Sequence, residues 1–155
     1  MAQTDELVSA RALDVLYQKT DKVYYEFARG CGLSETAYWI LYAVEVSGGS
    51  VAQAVISEEF SYSKQTVNSA LKTLEAKGLI RLDFAEGSRK AKMVSFTPEG
   101  RSFSEKRIVP AIEAEDRAFT SLSVEERGEF LRLARAYTAA VDRELAALSQ
   151  ERGRK

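Results

Sequence analysis

The residues best suited to chemistry lie between Ser63 and Lys92, and the chemistry they suit is binding rather than bond-making. Ser63, Lys64, Gln65, Thr66, Asn68, Ser69 and Lys72 are interleaved with Val67, Ala70, Leu71 and Leu74 at helical spacing. One helix would therefore bury an apolar stripe and expose the polar set. A generic solvated helix carries glutamate–lysine pairs four residues apart, whereas this face has no acid before Glu75. Short donors and acceptors with lysines can meet base edges and phosphates in a DNA major groove. Gln65, Thr66, Asn68 and Ser69 are the candidates for base contact, Asn68 for adenine, and Ser63, Lys64 and Lys72 for phosphate. Beyond them, Arg89, Lys90 and Lys92 crowd a turn at Glu86-Gly87-Ser88. There Lys90 and Lys92 could follow a DNA backbone and Arg89 could enter the minor groove.

Composition closes most other routes. The 155 residues include no histidine and a single cysteine, which rules out histidine catalysis, histidine metal ligands, a thiolate zinc site and an internal disulfide. No phosphate-binding glycine loop or nucleophile elbow is present, so neither an enzyme, a cofactor nor a metal is expected; carboxylate chemistry is the one enzymatic route left open. Hydrophobic residues at 45% and charged residues at 29% suit a globular core. The net charge of −1 divides into +4 over Ser63 to Lys92 and −5 elsewhere, a basic reading surface on an acidic body. Met1 to Glu6 is polar and acidic, unlike a signal peptide, and no apolar run approaches the roughly 20 residues that cross a bilayer. A cytoplasmic protein without a membrane partner is expected. Cys31 lies between Gly30 and Gly32 near Arg29. It is either an inert thiol or a redox sensor, and sensing would need access and a lowered pKa.

The elements that must position these groups are legible in outline. Ser63 is a natural N-cap and Gly78 a natural terminator for the polar helix. Ser50 to Ser57 reads as a shorter helix before it, and Leu79 to Phe84 with Met93 to Phe96 as two strands. Helix, turn, helix and hairpin make a winged helix-turn-helix over residues 34–97, in a mainly α (α+β) chain with a two-strand wing. The first segment, 5–32, holds a long helix from Asp5 to Arg29 with Leu13, Leu16, Tyr17, Val23, Tyr24 and Phe27 on its apolar face. Ser34 opens the next helix, whose Ala37, Ile40, Leu41 and Val44 face the core. Tyr24, Phe27, Tyr38, Trp39 and Tyr42 read two ways, as core packing or as the lining of a pocket for a small apolar or aromatic effector.

Residues 98–148 carry two further helices. Pro98 suits a first turn, Pro110 should kink the helix it interrupts, and Ser123 with Glu126 forms a capping box before the last helix. Phe130, Ala134, Tyr137, Val141, Leu145 and Leu148 then recur in steps of three and four. Such a stripe needs cover, from the first helix, from a second copy of the chain, or from both. The expected dimer interface is Leu13, Leu16, Tyr137, Val141, Leu145 and Leu148, and residues 149–155 are expected to fray.

The run Ser-Lys-Gln-Thr-Val-Asn-Ser-Ala-Leu-Lys-Thr-Leu-Glu-Ala-Lys-Gly-Leu-Ile over 63–80 resembles the recognition helix and first wing strand of the multiple antibiotic resistance regulator (MarR) family. Phe96-Thr97-Pro98-Glu99-Gly100-Arg101 resembles that family's junction between wing and following helix. The resemblance spans nearly the whole chain. It implies a homodimeric bacterial transcription regulator, often released from its operator by a small ligand or an oxidant, with Arg89 matching the wing arginine. The wing tip Gly87-Ser88-Arg89-Lys90-Ala91-Lys92 departs from the family's Asp-x-Arg-Asp-x-Arg run, and Ser69 stands where many members have arginine. Two functions follow: a repressor on a near-palindromic double-stranded operator, or a winged-helix module whose basic face binds an acidic protein.

Overall fold

The computed structural model describes residues 8–88 and 90–152, the last two by backbone alone. Among them are six helices and three strands, α1 (Ala10–Gly30), α2 (Glu35–Val46), β1 (Ser50–Ala52), α3 (Gln53–Glu59), α4 (Lys64–Ala76), β2 (Ile80–Phe84), β3 (Lys92–Phe96), α5 (Pro98–Thr120) and α6 (Val124–Arg152). This is the winged-helix fold that the sequence order implies.

The N-caps explain where the helices begin. Ser9, Ser34 and Ser63 each accept a backbone N–H three residues on, from Ala12, Ala37 and Thr66 at 3.2, 3.2 and 3.1 Å. Ser9 opens α1 at Ala10, later than the Asp5 start expected from sequence, and residues 5–7 lie outside the described residues. Ahead of α6 the capping box is reciprocal: Ser123 N–H donates to Glu126 Oε2 at 2.8 Å, and Glu126 N–H to Ser123 Oγ at 3.1 Å. α5 continues through Pro110, and α6 continues past Ser149 to Arg152.

One element corrects the sequence reading. Ser50 to Ala52 is a strand, not the start of a helix, and the wing belongs to a three-stranded antiparallel sheet in the order β1-β3-β2. Val51 and Leu82 both pair with Val94 of the central strand, and Val94 is fully buried. On the opposite face, the hydroxyls of Ser50 and Ser95 lie 2.7 Å apart. Pairing to β3 captures a segment too short to declare a period of its own.

The chain forms two compact units, one up to Ala111 and one from Ile112. The first has its core where α2, α3, α4 and the sheet converge, with Tyr38, Ile40, Leu41, Ile56, Leu71, Leu74, Ile80 and Val94 fully buried. Val67, Ala70, Leu71 and Leu74 are the buried stripe of α4. In the second, the Phe119 and Phe130 rings meet edge to face at 6.5 Å, and the Arg127 guanidinium lies 5.9 Å from the Phe119 centroid.

Two ties fix the wing to the end of α4. Thr97 Oγ1 donates to the Gly78 carbonyl at 2.6 Å, and Thr97 N–H to the Leu79 carbonyl at 3.2 Å. Gly100 is the residue that permits this approach, because a Cβ there would fall on the Leu79 carbonyl. A second anchor joins α2 to α5. Arg101 Nη1 contacts both Glu45 carboxylate oxygens at 3.2 Å, and Ser104 Oγ donates to Glu45 Oε2 at 2.5 Å. α4 therefore sits in a frame held by hydrogen bonds as well as by packing.

Candidate nucleic-acid interface

With its apolar stripe spent on the core, α4 turns Lys64, Gln65, Thr66, Asn68, Ser69 and Lys72 to solvent, and Ser63 is exposed at its cap. All seven sequence-predicted residues thus share one open surface. The N-terminal end is ordered by Ser63, whose Oγ lies 2.8 Å from Thr66 Oγ1 as well as capping the backbone. Gly78, at φ +70°, ends the helix and turns the chain into β2.

Lys90 and Lys92 are exposed on the wing. The tip is shaped by Ser88, whose Oγ accepts the N–H groups of Lys90 and Ala91 at 3.2 and 2.9 Å. Arg89, the expected minor-groove residue, lies outside the described residues. A groove of about 690 Å³ runs between α3, α4 and the wing, and its lining includes Gln53, Glu58, Tyr62, Lys64, Asn68, Lys90 and Lys92. Among the described residues, no carboxylate forms an ion pair with Lys64, Lys72, Lys90 or Lys92, so their charge is not already neutralised. Arg81, by contrast, is held by Asp83 at 2.9 Å.

On the other flank of α4 a hollow of about 560 Å³ is lined by Ser34 and Thr36 at the start of α2 together with Gln65, Thr66, Ser69 and Lys77. The sequence reading missed this flank and also missed Gln53, whose Nε2 donates to Asn68 Oδ1 at 2.6 Å. Neither has a local signal, since both depend on which segments the fold brings beside α4.

The five aromatic residues singled out from sequence do meet. Tyr24 and Trp39 are 4.7 Å apart by ring centroid, Phe27 and Tyr38 5.7 Å, and Trp39 and Tyr42 5.3 Å. Phe60 extends the chain of rings from Trp39, and Tyr62 stacks on Phe60 at an interplanar angle of 20°. Tyr38 is buried, while Trp39 and Tyr42 are half-buried. The cluster therefore reaches the turn between α3 and α4, where Ser61 takes a positive φ of 53°. Burial first and the nearby Glu35 carboxylate second raise the Tyr62 pKa, against a hydrogen bond with Thr36, so Tyr62 stays a neutral phenol. Cys31 is half-buried, and burial raises its thiol pKa more than the charge of Arg107 lowers it, which works against a standing thiolate.

The expected interface residues of α1 and α6 are also placed. Leu16 is 59% exposed, Leu145 58% and Leu148 55%, while Leu13, Tyr137 and Val141 are half-buried. Among the described residues, no helix is long and apolar enough to cross a membrane.

An exposed polar face with no acid before Glu75 on the second helix of a helix-turn-helix, flanked by a basic wing, defines the class as a winged helix-turn-helix protein with the fold of DNA-binding regulators. A MarR family model matches residues 32–91, from the turn before α2 to the wing tip. Among solved structures, NMB1585, a MarR family regulator from Neisseria meningitidis, is similar over 92% of this chain and 97% of its own, with 22% identity and a TM-score of 0.75. The transcription regulator MarR from Oenococcus oeni PSU-1 matches over 85% of this chain and 97% of its own, with 17% identity and a TM-score of 0.68. A mutant MarR from E. coli complexed with operator DNA matches over 87% and 95%, with 14% identity and a TM-score of 0.64. No curated protein sequence matches the chain significantly. Residues 32–91 thus match the MarR family model, and the fold of the chain is similar to that of MarR family regulators.

Proposed function

We propose that this protein is a homodimeric, sequence-specific repressor that reads a near-palindromic operator and is relieved by a small effector. The observation that carries the reading is the α4 face, where Gln65, Thr66, Asn68 and Ser69 are exposed without a competing acid beside unpaired Lys64 and Lys72. In this reading Gln65, Thr66, Asn68 and Ser69 contact bases, Ser63, Lys64, Lys72, Lys90 and Lys92 hold phosphates, and Arg89 enters the minor groove. Two α4 helices would enter successive major grooves about 10 base pairs apart. The dimer is supported by the exposed leucines of α1 and α6, which a single chain leaves in water. The effector reading rests on the half-buried rings of Tyr24, Trp39 and Tyr42, which pack at steep angles to one another as an aromatic cluster beside the helix-turn-helix.

A fluorescence-anisotropy titration tests the core of the proposal. The protein should bind duplex DNA from the promoter next to its own gene more tightly than a scrambled duplex, with two protomers per site. Equal affinity for both duplexes would remove that operator, and equal affinity for every member of a randomised library would remove sequence reading altogether.

A further inference from the structure

The shortest side-chain hydrogen bond at the interface is not made by α4 alone. Gln53 is the first residue of α3 and follows Ala52, which is paired with Met93 in the sheet. It is half-buried, and its Nε2 donates to Asn68 Oδ1 at 2.6 Å on the exposed face of α4. From these observations we infer that Gln53 is a positioning residue that sets the orientation of the Asn68 amide and thereby the base that Asn68 prefers. The inference rests on α4 reading DNA as proposed above.

The chemistry follows from the two ends of a carboxamide. A carboxamide oxygen has two lone pairs and its nitrogen two donors. With one Oδ1 lone pair taken by Gln53, Asn68 keeps its other lone pair and both Nδ2 donors. That set matches adenine, which offers N7 as acceptor and N6 as donor in the major groove. An unsupported asparagine rotates freely about its last bond. It can then present oxygen where nitrogen stood and accept from cytosine N4 instead. Gln53 disfavours that second state, because inverting the Asn68 amide alone would set its NH₂ group against the Gln53 NH₂, and the bond is regained only if the Gln53 amide turns over as well.

The test uses the full-length protein and a randomised duplex library, followed by anisotropy on single-base variants of the selected sequence. Asn68→Ala should flatten the preference at one base pair in each half-site. Gln53→Met keeps length and volume without the donor, and should flatten the preference at that same base pair by about ten-fold. Affinity for scrambled DNA and the salt slope should be unchanged, and the double variant should behave as Asn68→Ala. Gln53→Glu can only accept, so it should turn the Asn68 NH₂ inward and move the preference towards a base that offers a donor. A structural role alone would alter affinity for all sequences without moving the profile. The inference is overturned if Gln53→Met keeps the wild-type profile, if its effect adds to that of Asn68→Ala, or if it acts at another base pair. A wild-type protein that selects no sequence would overturn the DNA reading and this inference together. A selective wild type with an unaltered Gln53→Met profile would overturn this inference alone.

Discussion

Gly100→Ala should loosen the wing from the recognition helix and cost stability out of proportion to one methyl group. Gly100 lies in the first turn of α5, where alanine would ordinarily help by up to about 1 kcal/mol. Here its Cβ would fall on the Leu79 carbonyl oxygen and only 2.7 Å from the carbonyl carbon, and neither partner is a side chain that can swing away. The backbone of α5 must therefore separate from the start of β2. That separation breaks the two Thr97 hydrogen bonds to Gly78 and Leu79, together about 2 kcal/mol. Exposing on the order of 100 Å² around Leu79, Ile80 and Phe96 adds about 2.5 kcal/mol, so the net loss is about 3.5 kcal/mol once the helix gain is subtracted. Gly128→Ala is the control. It sits in α6 with no heavy atom within 4 Å of the added Cβ and should be neutral or stabilising by up to about 1 kcal/mol. Urea unfolding followed by circular dichroism, at fixed protomer concentration, measures both. If Gly100→Ala were as stable as Gly128→Ala, the junction would be able to relax and the rigid-frame argument would fail.

Other expectations follow from the same geometry. Lys64, Lys72, Lys90 and Lys92 in two protomers should give a slope of log affinity against log salt near −7, and Lys72→Ala should bring it to about −5 while weakening all sequences alike; an unchanged slope would exclude Lys72 from the phosphate contacts. Leu145→Glu with Leu148→Glu should produce monomers in sedimentation velocity, since both leucines are exposed in the single chain, whereas an intact dimer would move the interface elsewhere. Cys31 should alkylate at neutral pH more slowly than a free cysteine, because burial raises its pKa and lowers the thiolate fraction. Its rate should climb as pH rises through that pKa, and reaction at the free-thiol rate would restore the redox reading.

What the sequence made legible was local. Ser63, Val67, Ala70, Leu71, Leu74 and Gly78 specify α4 through a cap, a stripe and a stop, each carried within a few residues of the effect it has. Ser123 with Glu126 is legible for the same reason, since both halves of the capping box lie within one turn. Ser50 to Ala52 was misread because its strand state depends on Val94, some forty positions away, and three residues have no measurable period. Gln53 was invisible as a partner of Asn68, and Ser34 and Thr36 as residues lining the same hollow as Gln65, since both arrangements exist only after α2, α3 and α4 have packed. The aromatic set was visible as composition, but its continuation through Phe60 to Tyr62 required the fold.

The central claim is that the exposed polar face of α4 reads a DNA sequence. Its most direct test is competition anisotropy on the library-selected duplex, comparing the wild type with Gln65→Ala and Asn68→Ala against a scrambled duplex. The account predicts that the wild type prefers the selected sequence by a factor of about 10³ or more. Each variant should lose about 1–3 kcal/mol of that preference while keeping its affinity for scrambled DNA. Variants that retain the full preference, or a wild type that shows none, would contradict it.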